Sequence, residues 1–158
     1  GILFMTMFDL DHFKRINDTY GHNNGDIVLM AFGKLMRDSL RLEDTWGRWG
    51  GEEFVVMFSG KDMDEAYAII ERLRAACETN TITLSDNAEV VIKVSAGISR
   101  IDINQDQKNV DAEIILTDAI ERADKQLYIA KESGRNRVCC ESMDTNKTDT
   151  AIHCYAEV

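Results

Sequence analysis

Two short acidic stretches hold the residue types best suited to chemistry. Gly50-Gly51-Glu52-Glu53 sets two carboxylates beside two glycines, and Phe8-Asp9-Leu10-Asp11 ends an apolar run in two more. Carboxylate oxygens are hard ligands for magnesium or calcium, and glycines at a turn allow positive φ and close approach of a bulky anion to the main chain. The combination suits a metal carrying a phosphate. Each stretch also has a plainer use, as a solvated hairpin tip for Glu52 and Glu53 and as a helix cap for Asp11. Lys14, Lys131 and Arg135 stand where cations either meet phosphate oxygens or simply solvate a helix and complement its dipole. Asn17 shares a helix face with core residues, so its amide either satisfies nearby backbone or reads a ligand edge. Asp26 reads as the cap of a second helix, and Arg41 with Asp44, three residues apart, as a local ion pair.

These residues have to be positioned by the elements around them. The run Phe54-Val55-Val56-Met57-Phe58 reads as the returning strand of a hairpin, buried on both faces, whose approach carries Trp46 and Trp49. Ile2 to Phe8 reads as a central strand with a helix over each face. If the two strands pair antiparallel, Asp9 at the end of one meets Glu52 at the start of the other. Two like charges ~4 Å apart repel by about 4 kcal/mol at an effective dielectric near 20. Stability alone would not gather Asp9, Glu52 and Glu53, whereas a magnesium ion removes the penalty.

Helices are expected over 12–20, with Phe13, Ile16 and Tyr20 on one face, over 26–40 with Asp26 as its cap, and over 64–79. A longer one over 111–132 carries Leu116, Ala119, Ala123, Leu127 and Ala130 inward and stops at Gly134. Strands are expected at 81–84 and 90–98, the latter with one face more exposed, and a last edge strand at 136–138. The polar stretch 102–109 reads as a loop. This order, βααββαββα with a final strand, predicts an α+β domain: a mostly antiparallel central sheet flanked by helices. The domain is placed at 1–138 and a polar tail at 139–158.

Composition narrows the partners. With 158 residues, 44% hydrophobic and 29% charged, the chain is long enough for one full core. A net charge of −10 argues against a nucleic-acid polymer but leaves room for a small nucleotide carried with a cation. The cysteines at 77, 139, 140 and 154 lack metal-site spacing and are expected as reduced thiols in a cytoplasm. No run approaches the roughly 20 apolar residues of a membrane span, so a soluble piece without membrane contact is expected, whatever a longer parent carries.

The residues together resemble the GGDEF family of diguanylate cyclases. The resemblance rests on Phe8-Asp9-Leu10-Asp11-His12-Phe13-Lys14 through Ile16-Asn17-Asp18, Gly21-His22 with Gly25-Asp26, Gly50 to Phe54, and Ala123-Asp124 through Lys131 to Gly134-Arg135-Asn136, all in family order. It implies a polymerase-palm-like fold and condensation of two GTP into cyclic di-GMP and pyrophosphate. It assigns Asp9, the Leu10 carbonyl, Glu52 and Glu53 to magnesium, with manganese as the substitute, and gives Glu52, Glu53 and Lys131 the catalytic work. Asn17 and Asp26 would read guanine, Lys14, Lys131 and Arg135 would hold phosphates, and Gly50 and Gly51 would let the triphosphate lie against the turn. Arg41-x-x-Asp44, ending five residues before the glycines, matches the family's product-inhibition site, with Arg72 as a second arm. One domain binds one GTP, so a homodimer is implied. The helix and wide turn that usually precede the first strand in the family are not in this sequence. The alternative is a catalytically silent domain that only binds GTP or cyclic di-GMP.

Overall fold

The computed structural model describes residues 1–103 and 110–142, and the backbone of 153–154. Its centre is β1 (Ile2–Leu10), whose residues Phe4 to Leu10 are all buried, as expected of a strand covered on both faces. β1 pairs antiparallel with β3 (Glu53–Gly60) on one side and with β6 (Val94–Ile101) on the other. β2 (Thr45–Gly50) pairs antiparallel with β3, β7 (Val138–Cys140) lies parallel to β6, and β8 (His153–Cys154) closes the order β2-β3-β1-β6-β7-β8. The sheet is mostly antiparallel, as the element order predicts.

Strand alternation sorts the core into two layers. Phe4 and Phe8 face the side covered by α1 (Phe13–Tyr20), α2 (His22–Ser39) and α3 (Met63–Thr79), where they join Phe32, Phe58, Ile70 and Leu73. Met5 and Met7 face α4 (Ala112–Glu132), packing on Ala119, Ala123 and Leu127. Small residues on α4 let it lie close to the sheet. Gly97 of β6 takes this furthest, because a Cβ there would stand 2.2 Å from Ala123 O and Leu127 N.

The structure corrects several expectations. β3 is not buried on both faces: Phe54, Val56 and Phe58 are buried, while Glu53, Val55 and Met57 are half-buried on the α4 side. The expected strand at 90–98 breaks at Ile92 and Lys93. Its first part, β5 (Glu89–Val91), leaves the main sheet to pair with β4 (Thr81–Thr83), and its second part begins β6, which is buried at every position but Arg100. Leu116, expected inward, is exposed on α4. Asp26 does not cap α2, which starts four residues earlier at His22. Cys139 is disulfide-bonded, against the expectation of reduced thiols, and the last strand runs over Val138–Cys140 rather than 136–138, so Cys139 and Cys140 are buried where a polar tail was expected to begin. Most of the loop expected at 102–109 and of the tail expected at 139–158 falls outside the described residues.

Candidate active site

The site is assembled where β1 ends and β3 begins. Register pairing sets Asp9 opposite Glu53, and Leu10 N donates to Glu52 O at 3.3 Å, tying the end of β1 to the β2–β3 turn. The turn is centred on Gly51-Glu52 rather than on the two glycines, because Gly50 is itself the register partner of Glu53. Gly51 has φ +49°, where a side chain would be strained. A Cβ added at Gly50 or at Gly51 would meet nothing within 4 Å, so the turn's surface is open to a ligand. Trp49 is the extra residue of a bulge between Arg48 and Gly50, and Arg48 Nε donates to Gly51 O at 2.6 Å, which pins the turn.

Asp9 and Glu53 share the sheet face that α4 covers, and α4 brings two charged side chains to them. Lys131 Nζ donates to Asp9 Oδ2. Asp124 lies close enough to Glu53 to act on its charge. Burial pushes the Asp9 carboxyl above its ordinary range; Lys131 pulls it back, while Glu52 and Asp11 add to the rise. Glu53 is raised as well, first by burial and then by Asp9 and Asp124. Acidic groups from two strands therefore converge, with Glu53 rather than the expected Glu52 opposite Asp9 because Glu52 lies in the turn, and the cluster is electrostatically unfavourable.

That donor set fits magnesium. No group of three or more His, Cys, Asp and Glu side chains among the described residues stands ready to enclose a metal. Magnesium does not require one, since it keeps several waters and is commonly held by one or two carboxylates with substrate phosphates. Asp9 and Glu53, two hard-oxygen groups whose ionisation the protein opposes, are what a divalent cation would stabilise, with Glu52 beside them.

A cavity of about 460 Å³ opens beside the turn, lined by Lys14, Asn17, Asp26 and Arg48 together with Gly51 and Glu52. Glu52 thus belongs both to the acidic centre and to the cavity wall. α1 supplies Lys14 and Asn17, three residues apart on one helix face, and α2 supplies Asp26 from its second turn. Asn17 Oδ1 is buried without a hydrogen-bond partner. It lies against Gly25, where any Cβ would come within 1.8 Å of it, so a glycine at 25 makes room for the amide. An unsatisfied buried amide at a cavity wall is costly unless a ligand completes it.

Other expected residues lie apart from this centre. Arg135, with φ +64°, lines a neighbouring cleft instead. Asp11 caps no helix: its carboxylate accepts from Ser95 Oγ at 2.7 Å and from Asn136 N at 2.9 Å, bolting the loop that carries Arg135 to the end of β1. Asn136 is held further by Arg74 at 3.0 Å and Glu78 at 2.8 Å. Arg41 and Asp44 sit at the opposite end of the β2–β3 hairpin, where Arg41 donates to Asp44 Oδ1 at 3.3 Å and to Ser59 O at 2.6 Å. Arg72 is exposed on α3 and lines neither cavity. Sequence reasoning passed over Arg48 and Asp124; only the hairpin register and the α4 spacing, seven residues from Asp124 to Lys131, hint at them.

The sequence matches the family described as diguanylate cyclase, GGDEF domain, over residues 2–137. It is 42% identical over 136 residues to diguanylate cyclase A of Treponema denticola, covering 86% of this chain and 34% of that relative. Among solved structures it resembles the active GGEEF domain of a diguanylate cyclase from Vibrio cholerae, with 31% identity and TM-score 0.73 over 89% of this chain and 83% of that one. It also resembles the GGDEF domain of DgcB from Caulobacter crescentus in complex with c-di-GMP, with 28% identity and TM-score 0.75 over 88% and 77%. The chain spans about a third or less of the length of the curated relatives it matches.

Proposed function

The chain belongs to the GGDEF family of diguanylate cyclase domains, and from that premise we propose that it condenses two GTP into cyclic di-GMP and pyrophosphate across a pair of domains. What supports this most is the juxtaposition of Asp9, Glu52 and Glu53 at one sheet edge with a cavity whose wall holds Asp26 and the unsatisfied Asn17 amide. Asn17 and Asp26 read the guanine: a carboxylate accepts from N1–H and the 2-amino group, donors that adenine does not present. Lys14 and Lys131 hold the phosphates, and Arg135 reaches them from the adjoining cleft. Magnesium, when bound by Asp9, Glu52, Glu53 and the Leu10 carbonyl, supplies charge neutralisation at the α-phosphate. Lys131 holds Asp9 in place through their ion pair. Glu53, opposite Asp9 at the start of β3, is placed to take the proton of the attacking 3′-hydroxyl.

Each domain holds one GTP, so the attacking hydroxyl and the attacked phosphate come from two domains face to face. With GTP as the proposed substrate, the work is expected in the cytoplasm. No helix among the described residues is long and apolar enough to cross a membrane.

The test is to incubate the purified chain with GTP and magnesium at several protein concentrations and to separate the products by chromatography. Cyclic di-GMP formed with second-order dependence on protein supports the reading. Binding of GTP or cyclic di-GMP without turnover would instead make this a silent receptor domain.

A further inference from the structure

Helix α1 is a partition between two cavities. Lys14 and Asn17 line the 460 Å³ nucleotide cavity, while His12, Arg15 and Ile16 line a larger cleft of about 640 Å³ on the other side of the same helix. Asp11 and His12, two and three residues beyond Asp9, also line this cleft. The far wall is made by the loop from Gly134 to Arg137 and by Lys93, which follows β5.

The cleft's charge is at odds with the chain's. Arg15, Lys93, Arg135 and Arg137 all line it, in a protein of net charge −10, and none of the four forms an ion pair among the described residues. The carboxylates that line the cleft are held mainly by other partners, although Lys93 also acts on Glu78. Glu71 and Glu78 pair with Arg74 at 2.5 and 3.1 Å, Glu78 also accepts from Asn136, and Asp11 accepts from Ser95 and Asn136. Four cations in one cleft repel one another, even with Lys93 close enough to act on the Glu78 charge and Arg137 Nε donating to the Arg135 carbonyl, and a multivalent anion relieves that repulsion. Elsewhere the net charge would repel such an anion.

We infer that this cleft is a pyrophosphate site, separate from the nucleotide cavity, that receives the leaving group of the cyclase reaction. The inference rests on the proposed activity for the identity of the anion. Pyrophosphate is cut from the α-phosphate beside Asp9 and Lys131, and Arg135 borders both the phosphate position proposed for it and the cleft. The leaving group therefore passes along the N-terminal end of α1 from one cavity into the other. No bond is made or broken in that transfer.

The test is titration calorimetry of the 158-residue chain with sodium pyrophosphate, with and without magnesium chloride. The variants are an Arg15→Ala, Lys93→Ala, Arg137→Ala triple and, separately, Lys131→Ala. Wild type and Lys131→Ala are expected to bind pyrophosphate within about threefold of each other, and the triple at least tenfold more weakly. In the turnover assay the triple should keep its KM for GTP within about twofold and need at least tenfold more pyrophosphate for inhibition. Equal affinity in the triple overturns the site, and so does loss of binding in Lys131→Ala, which would put the anion in the nucleotide cavity. An octaglutamate peptide that binds where pyrophosphate does not would also overturn it, in favour of a protein partner. Calorimetry needs no turnover, so a chain that binds pyrophosphate in this pattern but makes no cyclic di-GMP supports the cleft while defeating the cyclase reading.

Discussion

Glu53 is the carboxylate of the site whose ionisation the protein opposes without giving it an ion pair among the described residues. Burial, Asp9 and Asp124 raise its pKa above the unfolded value, so the folded chain holds the Glu53 proton more tightly than the unfolded chain does. The resulting cost to stability is full above the folded pKa and vanishes as pH falls below the unfolded value of about 4.3. Glu53→Gln is therefore expected to raise the thermal midpoint of the metal-free chain at neutral pH, a gain that disappears on acidification. Magnesium should narrow the difference. Calorimetric melts of both proteins from pH 4 to 8 check this, and a gain that grows towards low pH would contradict the charge cluster. Glu52→Gln is expected to abolish turnover, and a persistent wild-type rate in the product assay would remove Glu52 from the metal site. Asp26→Asn replaces an acceptor-only group by an amide, and losing hydrogen bonds to a charged group costs about 1.5–3 kcal/mol. Steady-state kinetics should show KM for GTP rising about 10- to 100-fold, and an unchanged KM would return Asp26 to the status of an exposed helical residue.

At the scale of elements, the contact between α4 and β6 decides whether those side chains meet at all. Gly97 lies against the α4 backbone, and Lys131 sits one turn beyond Leu127, whose amide is one of the atoms a Cβ would strike. Gly97→Ala must push the helix away from the sheet; overpacking typically costs about 1–3 kcal/mol, and here the obstacle is backbone rather than a flexible side chain. Denaturant unfolding should show at least that loss, with activity falling along with it as Lys131 is drawn from Asp9. A fully stable variant would mean that the helix shifts freely. The β1–β3 pairing was legible because two apolar runs each adjoin acidic residues, one at its end and one at its start, so only one antiparallel register brings the acids together. The break at Ile92 and Lys93 was not, because the apolar alternation runs through it and only pairing with β4 reveals it. The role of Asp11 is hidden for a related reason: local pattern offers a metal ligand or a cap, while its partner Asn136 lies 125 residues away.

For the whole molecule, product inhibition at Arg41 and Asp44, which we propose, would require product to restrain a site it does not occupy. Arg41 and Asp44 are separated from Glu52 and Glu53 by the length of the β2–β3 hairpin, about 20 Å at ~3.4 Å per residue. A ligand held there cannot compete with GTP directly. It can act on how two domains face each other, which is the step a two-domain reaction needs. Arg41 is half-exposed, already held by Asp44 and the Ser59 carbonyl, and thus presents a fixed guanidinium edge of the kind that pairs with and stacks on a guanine. Because the Asp44 side chain is only 3% exposed, Arg41→Ala should lower the unfolding midpoint modestly, leaving that carboxylate with the backbone N–H of residue 41. Progress curves with added cyclic di-GMP are expected to show wild-type turnover slowing as product accumulates, while Arg41→Ala continues at its initial rate, with KM for GTP the same in both. Equal slowing in the two proteins would leave Arg41 as a hairpin anchor, and a changed KM would mean that the far end of the hairpin reaches the nucleotide cavity after all.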